Sequence, residues 1–249
     1  MSDQDPSRLD VILTQRGLAP SRSRARALIK NGWVRVDGET VTKPSSVVGT
    51  RAALDVTDDA YDFVSRAALK LDHGLDHFAV DPSGRVSLDI GASTGGFCDV
   101  LLRRGAAFVF AVDVGHGQLH PSLSEDDRVA SLEGVNAKDL TKDLITYVPD
   151  LLVCDVSFIS LMKALPAALS LAAPQADLIT LVKPQFELGP EAIGKNGRVL
   201  PSRDEQRWFI DERITPFLAR HGWSVAGITA SPILGGEGTF EFLLHAQKA

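Results

Sequence analysis

An α/β fold built on a mostly parallel sheet, preceded by a smaller α+β module, is what this 249-residue sequence predicts. Three observations carry that expectation. From Arg85 onward, apolar runs of strand length alternate with segments of helical periodicity. The first of those strands runs into a glycine-bearing turn at Gly91. The charge is also divided: the chain carries −6 overall, but the stretch from Arg8 to Arg51 carries +6, which leaves −12 for the rest. Such asymmetry suggests a basic binding module joined to an acidic body.

Composition narrows the class further. A hydrophobic content of 44% is enough for a sizeable core, and no apolar run approaches the length of a membrane span. The opening MSDQDPSRLD is polar and acidic, unlike a secretory signal. Cys98 and Cys154 are too few for a disulfide framework or a zinc cluster and are expected to be buried thiols. The expected compartment is the cytoplasm.

In the basic module, Leu9, Ile12 and Leu13 place an apolar stripe on a short helix that stops at Gly17. Pro20 and Ser21 open a second helix, with Ser21 as N-cap. Its apolar side is Ala25, Leu28 and Ile29; Arg22 and Arg26 lie four apart on another side, with Lys30 one turn further. Asn31-Gly32 ends it, and Val34-Arg35-Val36, Asp37-Gly38 and Thr40-Val41 read as a hairpin with a tight turn. Arg22, Arg24 and Arg26 have no acid between them, which favours phosphate contacts over a merely solvated face. The pattern RLDVIL…GLAPSRSRARALIKNGWVRVDGETVTKPSSVV resembles the S4 RNA-binding domain, with expected bounds 7–60. That resemblance implies structured RNA, read largely through backbone and shape.

Asp55 to Asp62 is acidic and irregular, a domain boundary. Ser65 is then expected to cap a helix carrying Ala67, Ala68, Leu69, Lys70, Leu71, Leu75 and Phe78. From periodicity alone, Lys70 reads as a lysine whose stem covers apolar surface while its amine reaches water.

The body begins with Val86, Leu88 and Ile90, which alternate as a buried strand. Gly91, Gly95 and Gly96 interrupt, and Phe97, Val100, Leu101 and Leu102 resume at helical spacing. Strand, glycine turn and helix N-terminus make a loop whose N–H groups face a ligand. Asp89-x-Gly91-x-x-x-Gly95 is not the G-x-G-x-x-G of dinucleotide folds, because Ser93 stands where the second glycine would be. An acid just before the loop, Asp89, suits a ligand with a positive end, such as the amino group of S-adenosylmethionine.

Phe108 to Val114 is the second strand and carries Asp113, placed for ribose hydroxyls. Ser131-Leu132-Glu133 begins a third unit, followed by Asn136 where an adenine edge could be read. Leu151 to Asp155 is the fourth strand, and Leu178 to Lys183 is the fifth, halted by Pro184. Trp223 to Ile233 and Thr239 to Ala246 complete the sheet, the last antiparallel after Gly235-Gly236. Asp89, Asp113, Asp155 and Lys183 all fall at the edge where open parallel sheets bind ligands. A lysine ending an apolar strand needs a reason, because an unpaired buried ammonium is costly. An ion pair with Asp155 is one; a cluster that adds Lys70 and Glu241 beside a ligand is the other.

The runs FVSRAALKL, LDIGASTGGFCDVLL, AVDVGHGQL, EGVNAKDL, CDVSFISL, LVKPQFELG and GTFEFLL resemble the TlyA (haemolysin A) family, S4-containing FtsJ-like RNA ribose 2′-O-methyltransferases. The resemblance covers nearly the whole chain. It implies a Rossmann-like class I methyltransferase domain at 64–249, with a mostly parallel seven-stranded sheet whose last strand is antiparallel. It also implies S-adenosyl-L-methionine as cofactor and a tetrad of Lys70, Asp155, Lys183 and Glu241, with Lys183 nearest the target hydroxyl. Implied cofactor contacts are Asp89, Gly91, Ala92, Ser93, Gly95, Phe97, Asp113, Val114, Asn136 and Asp155. Implied RNA contacts are Arg8, Arg22, Arg24, Arg26, Lys30 and Arg66. The implied partner is ribosomal RNA, with a cytidine as target and no metal. The chain departs from the family's usual residues at Ala67, Ala68, Lys138 and Thr239.

Other chemistries fit less well. Exocyclic-amine methylation calls for N/D-P-P-Y/F after the fourth strand, where this chain has Asp155-Val-Ser-Phe158. Cytosine C5 methylation calls for a Pro-Cys nucleophile, and Cys154 follows Val153. His116 and His120 stand among Gly115, Gly117 and Pro121 and read as loop histidines. Two further readings stay open: a non-catalytic ribosome-assembly factor, which tetrad substitutions would favour, and a membrane-active haemolysin, for which a span, a signal or a basic amphipathic helix would speak.

Overall fold

Apolar positions of this chain form two separate units, Met1–Arg66 and Ala67–Ala249. The computed structural model describes residues 6–19, 22–30, 32–49, 51–56, 63–189, 192, 194, 201–235 and 239–248, without the side chains of Ser23, Arg24 and Ala27. Ser21, Asn31, Gly236 and most of the acidic junction, residues 57–62, therefore lie outside the described residues.

In the first unit, β1 (Ser7–Arg8) leads into α1 (Leu9–Gln15), and α2 (Arg22–Lys30) packs against α1. Leu9, Ile12 and Leu13 meet Ala25, Leu28 and Ile29 as buried residues, as their spacing requires. β2 (Val34–Val36) pairs antiparallel with β3 (Glu39–Thr40). Asp37 and Gly38 between them both take left-handed backbone, φ 52° and 87°, the condition for a two-residue hairpin of type I′. β4 (Val47–Val48) pairs with β1, and β5 (Leu54–Val56) pairs with the other edge of β2.

The second unit is a seven-stranded sheet of β6 (Val86–Ile90), β7 (Phe108–Asp113), β8 (Val129–Glu133), β9 (Leu151–Cys154), β10 (Ala176–Val182), β11 (Trp223–Ala230) and β12 (Phe242–Lys248). The spatial order is β11-β12-β10-β9-β6-β7-β8. The run from β10 to β8 is parallel, while β12 is antiparallel to both β10 and β11. Strands covered on both faces read as continuous apolar runs, which is why LLVC and ADLITLV are nearly all buried.

Leu88 and Ile90 point into one cluster with Leu152, Leu178 and residues of α6 (Leu161–Ala164), α7 (Pro166–Leu171) and α10 (Thr215–Arg220). Asp89, between them, points the other way, toward α4 (Gly96–Arg103). α3 (Ala68–Phe78) packs on α4, β10 and β12. The remaining helices are short: α5 (Pro121–Ser124), α8 (Pro184–Glu187) and α9 (Arg203–Phe209), the last followed by a π turn at Ile210–Ile214.

Three local expectations are corrected. Ser65 does not cap α3; the N-cap is Ala67, with no side-chain cap bond. Pro184 does more than halt β10, because it occupies the first turn of α8 and holds Lys183 in extended backbone. β11 stops at Ala230, short of the expected Ile233, and β12 starts at Phe242 and runs on to Lys248, past the expected Ala246.

Winding reverses between β6 and β9, and there the chain leaves no room. Gly91 has φ +86°, and a Cβ on it would stand 2.8 Å from the Asp155 carbonyl oxygen. Gly84 has a similar φ, +71°, but open space around it. Gly84→Ala is therefore expected to cost about 1 kcal/mol for its backbone alone. Gly91→Ala is expected to cost roughly twice that or more, because the collision adds to the same backbone term. Urea melts of the two variants check the difference.

Candidate active site

The glycine turn after β6 makes one wall of a cavity of about 530 Å³ at the switch point. Gly91, Ser93, Asp113, Val114, Asn136 and Asp155 line it, joined by Gln118, Ser157 and Phe158. Asp89, Ala92 and Phe97 are buried and do not line it, and Gly95 stands at the N-cap of α4 with φ +92°. Ser93, in the place of a glycine, takes φ 47°.

Asp113 ties two loops together. Its Oδ2 accepts from the Ser93 N–H at 2.8 Å and its Oδ1 from the Gly115 N–H at 2.7 Å. Ser93 Oγ lies 3.1 Å from Gln118 Oε1. Glu133 pins the same loop from β8, accepting from the N–H groups of Gly117, Gln118 and Leu119, and those bonds hold its carboxyl below the usual range. Asn136 Oδ1 accepts from the Lys138 N–H, which leaves its amide N–H₂ for another partner.

Asp89 sits behind the loop with no exposed surface. The Cys98 thiol donates to its Oδ2 at 3.0 Å, while its Oδ1 has no partner. Burial lifts this carboxyl to about 7; the Cys98 donor pulls it down, and the Asp155 and Asp113 carboxylates push it further up. A buried acid with a free oxygen beside a glycine loop is suited to a cationic group.

The four tetrad types form two ion pairs. Lys183 Nζ is 2.5 Å from Asp155 Oδ1 and donates to Ser157 Oγ at 2.8 Å. Lys70 Nζ is 2.5 Å from Glu241 Oε2. Lys70, Lys183 and Glu241 are only 6%, 8% and 2% exposed. The β10–β12 register ends with Val182 opposite Phe242, so Lys183 and Glu241 follow as neighbours just beyond it. This corrects the periodicity reading of Lys70, whose amine meets a buried carboxylate and not water. A Cβ on Gly235 would run into Glu241 Oε1, so the turn before β12 closes over the same carboxylate.

Ser157, Gln118, Glu133 and Phe158 escaped the sequence reading. Phe158 is 91% exposed, holds φ 65°, and its ring lies 5.1 Å from that of Phe186. An aromatic in left-handed backbone at a cavity rim is held there at a cost in strain. The only sequence signal was its place three residues after Asp155.

Burial pushes the Cys154 thiol up to about 12 and the Cys98 thiol well above its ordinary value, so neither is a ready nucleophile. His120 caps α5 through the Ser122 N–H, and His116 lies against Gly134. Among the described residues, no group of three His, Cys, Asp or Glu is placed to hold a metal, and no helix is long and apolar enough to cross a membrane.

In the first unit, Arg8, Arg22 and Arg26 converge on the buried Asp10. Lys30 is exposed in the last turn of α2, and the Arg66 guanidinium lies against Gly32. The Arg24 side chain lies outside the description.

Comparison with known proteins identifies the family. The FtsJ-like methyltransferase model matches residues 63–248, and the S4 domain model matches 7–52. The chain is 46% identical over 243 residues to the 16S/23S rRNA (cytidine-2′-O)-methyltransferase TlyA of Mycobacterium tuberculosis, covering 96% of this chain and 88% of that one. It is 37% identical to Hemolysin A of Brachyspira hyodysenteriae, covering 96% and 98%. A solved structure from Streptococcus thermophilus superposes with a TM-score of 0.75 at 39% identity, covering 99% of this chain and 90% of that one. With both domain models matched and these relatives aligned along nearly the whole chain, the protein belongs to the FtsJ-like methyltransferases, in their S4-bearing TlyA (haemolysin A) family.

Proposed function

We propose that this chain transfers a methyl group to the 2′-hydroxyl of a cytidine in ribosomal RNA, acting in the cytoplasm. The observation that carries the reading is the Lys183–Asp155 pair, a buried ammonium held against a carboxylate that lines the cavity, with a second lysine–carboxylate pair beside it. The relatives named as cytidine-2′-O-methyltransferases support the base and the RNA class. The S4 unit supports an RNA partner, and we place Arg8, Arg22, Arg24, Arg26, Lys30 and Arg66 in that contact. The domain bounds we propose are 7–60 and 64–249.

The cofactor of the family is S-adenosylmethionine, which when bound supplies a methyl already activated on a sulfonium. Residues here fit it: Gly91 and Ser93 line the cavity, Asp113 and Asn136 offer acceptors and donors for ribose and adenine, and the unpartnered Asp89 Oδ1 suits the ammonium. Val114 forms part of the wall, and Ala92, Gly95 and Phe97 support the glycine turn from behind it. The work left to the protein is alignment and the fate of one proton. Asp155 and Ser157 orient Lys183 nearest the ribose hydroxyl, where it either takes the departing proton as base or, with that proton leaving to water, donates an N–H to the negative charge developing on oxygen. Lys70 adds positive charge to the neighbourhood, while Glu241 and Asp155 pull the other way and orient the two amines. Phe158 offers a face on which a base can stack.

Lys183→Ala is expected to lower methyl transfer to ribosomal RNA by at least about 10²-fold while cofactor affinity stays largely unchanged. Labelled-methyl transfer and calorimetric titration check the two halves; lost cofactor binding in a folded variant contradicts the assignment. Asp89 gives a pH prediction. Its folded carboxyl titrates at about 7, above its ordinary 3.8, so it is neutral below that point and ionised above it. Cofactor affinity is therefore expected to rise between pH 6 and 7.5, and Asp89→Asn to bind weakly with no such rise. The unliganded fold should lose stability over the range from about 4 to 7, because there the carboxyl ionises in the unfolded chain while the buried one keeps its proton. Asp89→Asn should flatten that decline in thermal melts.

A further inference from the structure

Asp10 has no exposed surface, yet it accepts hydrogen bonds from three arginines. Arg8 donates through Nε to Oδ1 at 2.9 Å and through Nη2 to Oδ2 at 3.2 Å. Arg26 Nε donates to Oδ2 at 3.0 Å, and Arg22 reaches the same oxygen through Nε and Nη2 at 3.4 and 3.3 Å. The chain arranges this with little: Arg8 is the N-cap of α1, Asp10 lies in its first turn, and Arg22 and Arg26 are one turn apart on α2. Burying the carboxylate is tolerable because it is so fully hydrogen-bonded.

The charges do not balance. Among the described residues one carboxylate faces three guanidiniums, and a single partner would have satisfied a structural ion pair. Two positive charges are left over within one small cluster, where they repel each other until an anion joins them. The three arginine side chains are about half exposed, at 43%, 54% and 52%, so each keeps N–H groups toward solvent. Guanidiniums suit phosphate oxygens bidentately, and tethering their Nε ends leaves less freedom to lose on binding.

We propose that Asp10 is a positioning residue for RNA, a buried carboxylate that gathers Arg8, Arg22 and Arg26 into one array for the phosphodiester backbone. The inference rests on reading the first unit as the RNA-binding one. It makes a prediction opposite to simple charge counting. Removing a negative charge next to a basic surface should tighten binding to a polyanion. Releasing three arginines from their common anchor should loosen it.

The test uses the full chain and an in vitro transcribed fragment of 23S ribosomal RNA across a salt series. Asp10→Asn is expected to bind about tenfold more weakly, with the slope of log K against log salt reduced by one to two, each lost phosphate contact being worth about 0.9. Arg26→Gln alone should also weaken binding, and the Asp10→Asn/Arg26→Gln double variant should lose less than the two together. Hydrogen exchange of α1 and α2 reports whether the module is folded. If Asp10→Asn unfolds it, Asp10→Glu, which keeps the charge but moves it by one methylene, takes its place in the same cycle. Binding as tight as the parent or tighter, or strict additivity in the cycle, overturns the inference. A parent chain that does not bind RNA at all overturns the underlying reading instead.

Discussion

A charged lysine is costly to bury without a carboxylate beside it, and the second unit meets that condition twice at the end of one antiparallel strand pair. Lys183 closes β10 and meets Asp155 from the end of β9; Glu241 leads into β12 and meets Lys70 from α3. Removing any one of the four leaves a charge with no partner in a place of low dielectric. The pairs thus bind together three strands and a helix that are far apart in the chain. One of the four, Asp155, also lines the cavity, so the same pair that holds strand ends together stands beside it.

Around that fixed point the loops are held by carboxylates that use backbone N–H groups as their partners. Asp113 joins the glycine turn to the loop after β7, and Glu133 gathers three successive N–H groups of that loop. The close approach of Gly91 to the Asp155 carbonyl brings the end of β6 against the end of β9. The glycine turn and the carboxylate that pairs with Lys183 are therefore held in place by one piece of backbone geometry. Asp89 stands apart from these: it is fully buried, one of its oxygens has no partner, and burial raises its proton affinity.

The parts legible in the sequence were those governed by period and punctuation. Continuous apolar runs gave β9 and β10, Asp37-Gly38 gave the first hairpin, and Arg22 and Arg26 came out on one face of α2. Lys70 was not legible from its helix, because the residue that makes its burial tolerable lies 171 positions away. Ser65 looked like a cap by type, yet the helix starts after Ala67, since a cap depends on backbone angles that composition does not reveal. Phe158 and Ser157 were hidden for a similar reason: left-handed backbone at the first, and a lysine partner 26 residues on for the second, exist only once β9 and β10 lie side by side.

The site makes one commitment that no fold argument can supply, namely which atom receives the methyl. Incubating the purified chain with ribosomal RNA and methyl-labelled S-adenosylmethionine, then digesting to nucleosides and separating them by mass, reads that atom directly. The account predicts label in 2′-O-methylcytidine. Label on a base carbon or an exocyclic amine, with the ribose unmodified, would contradict it.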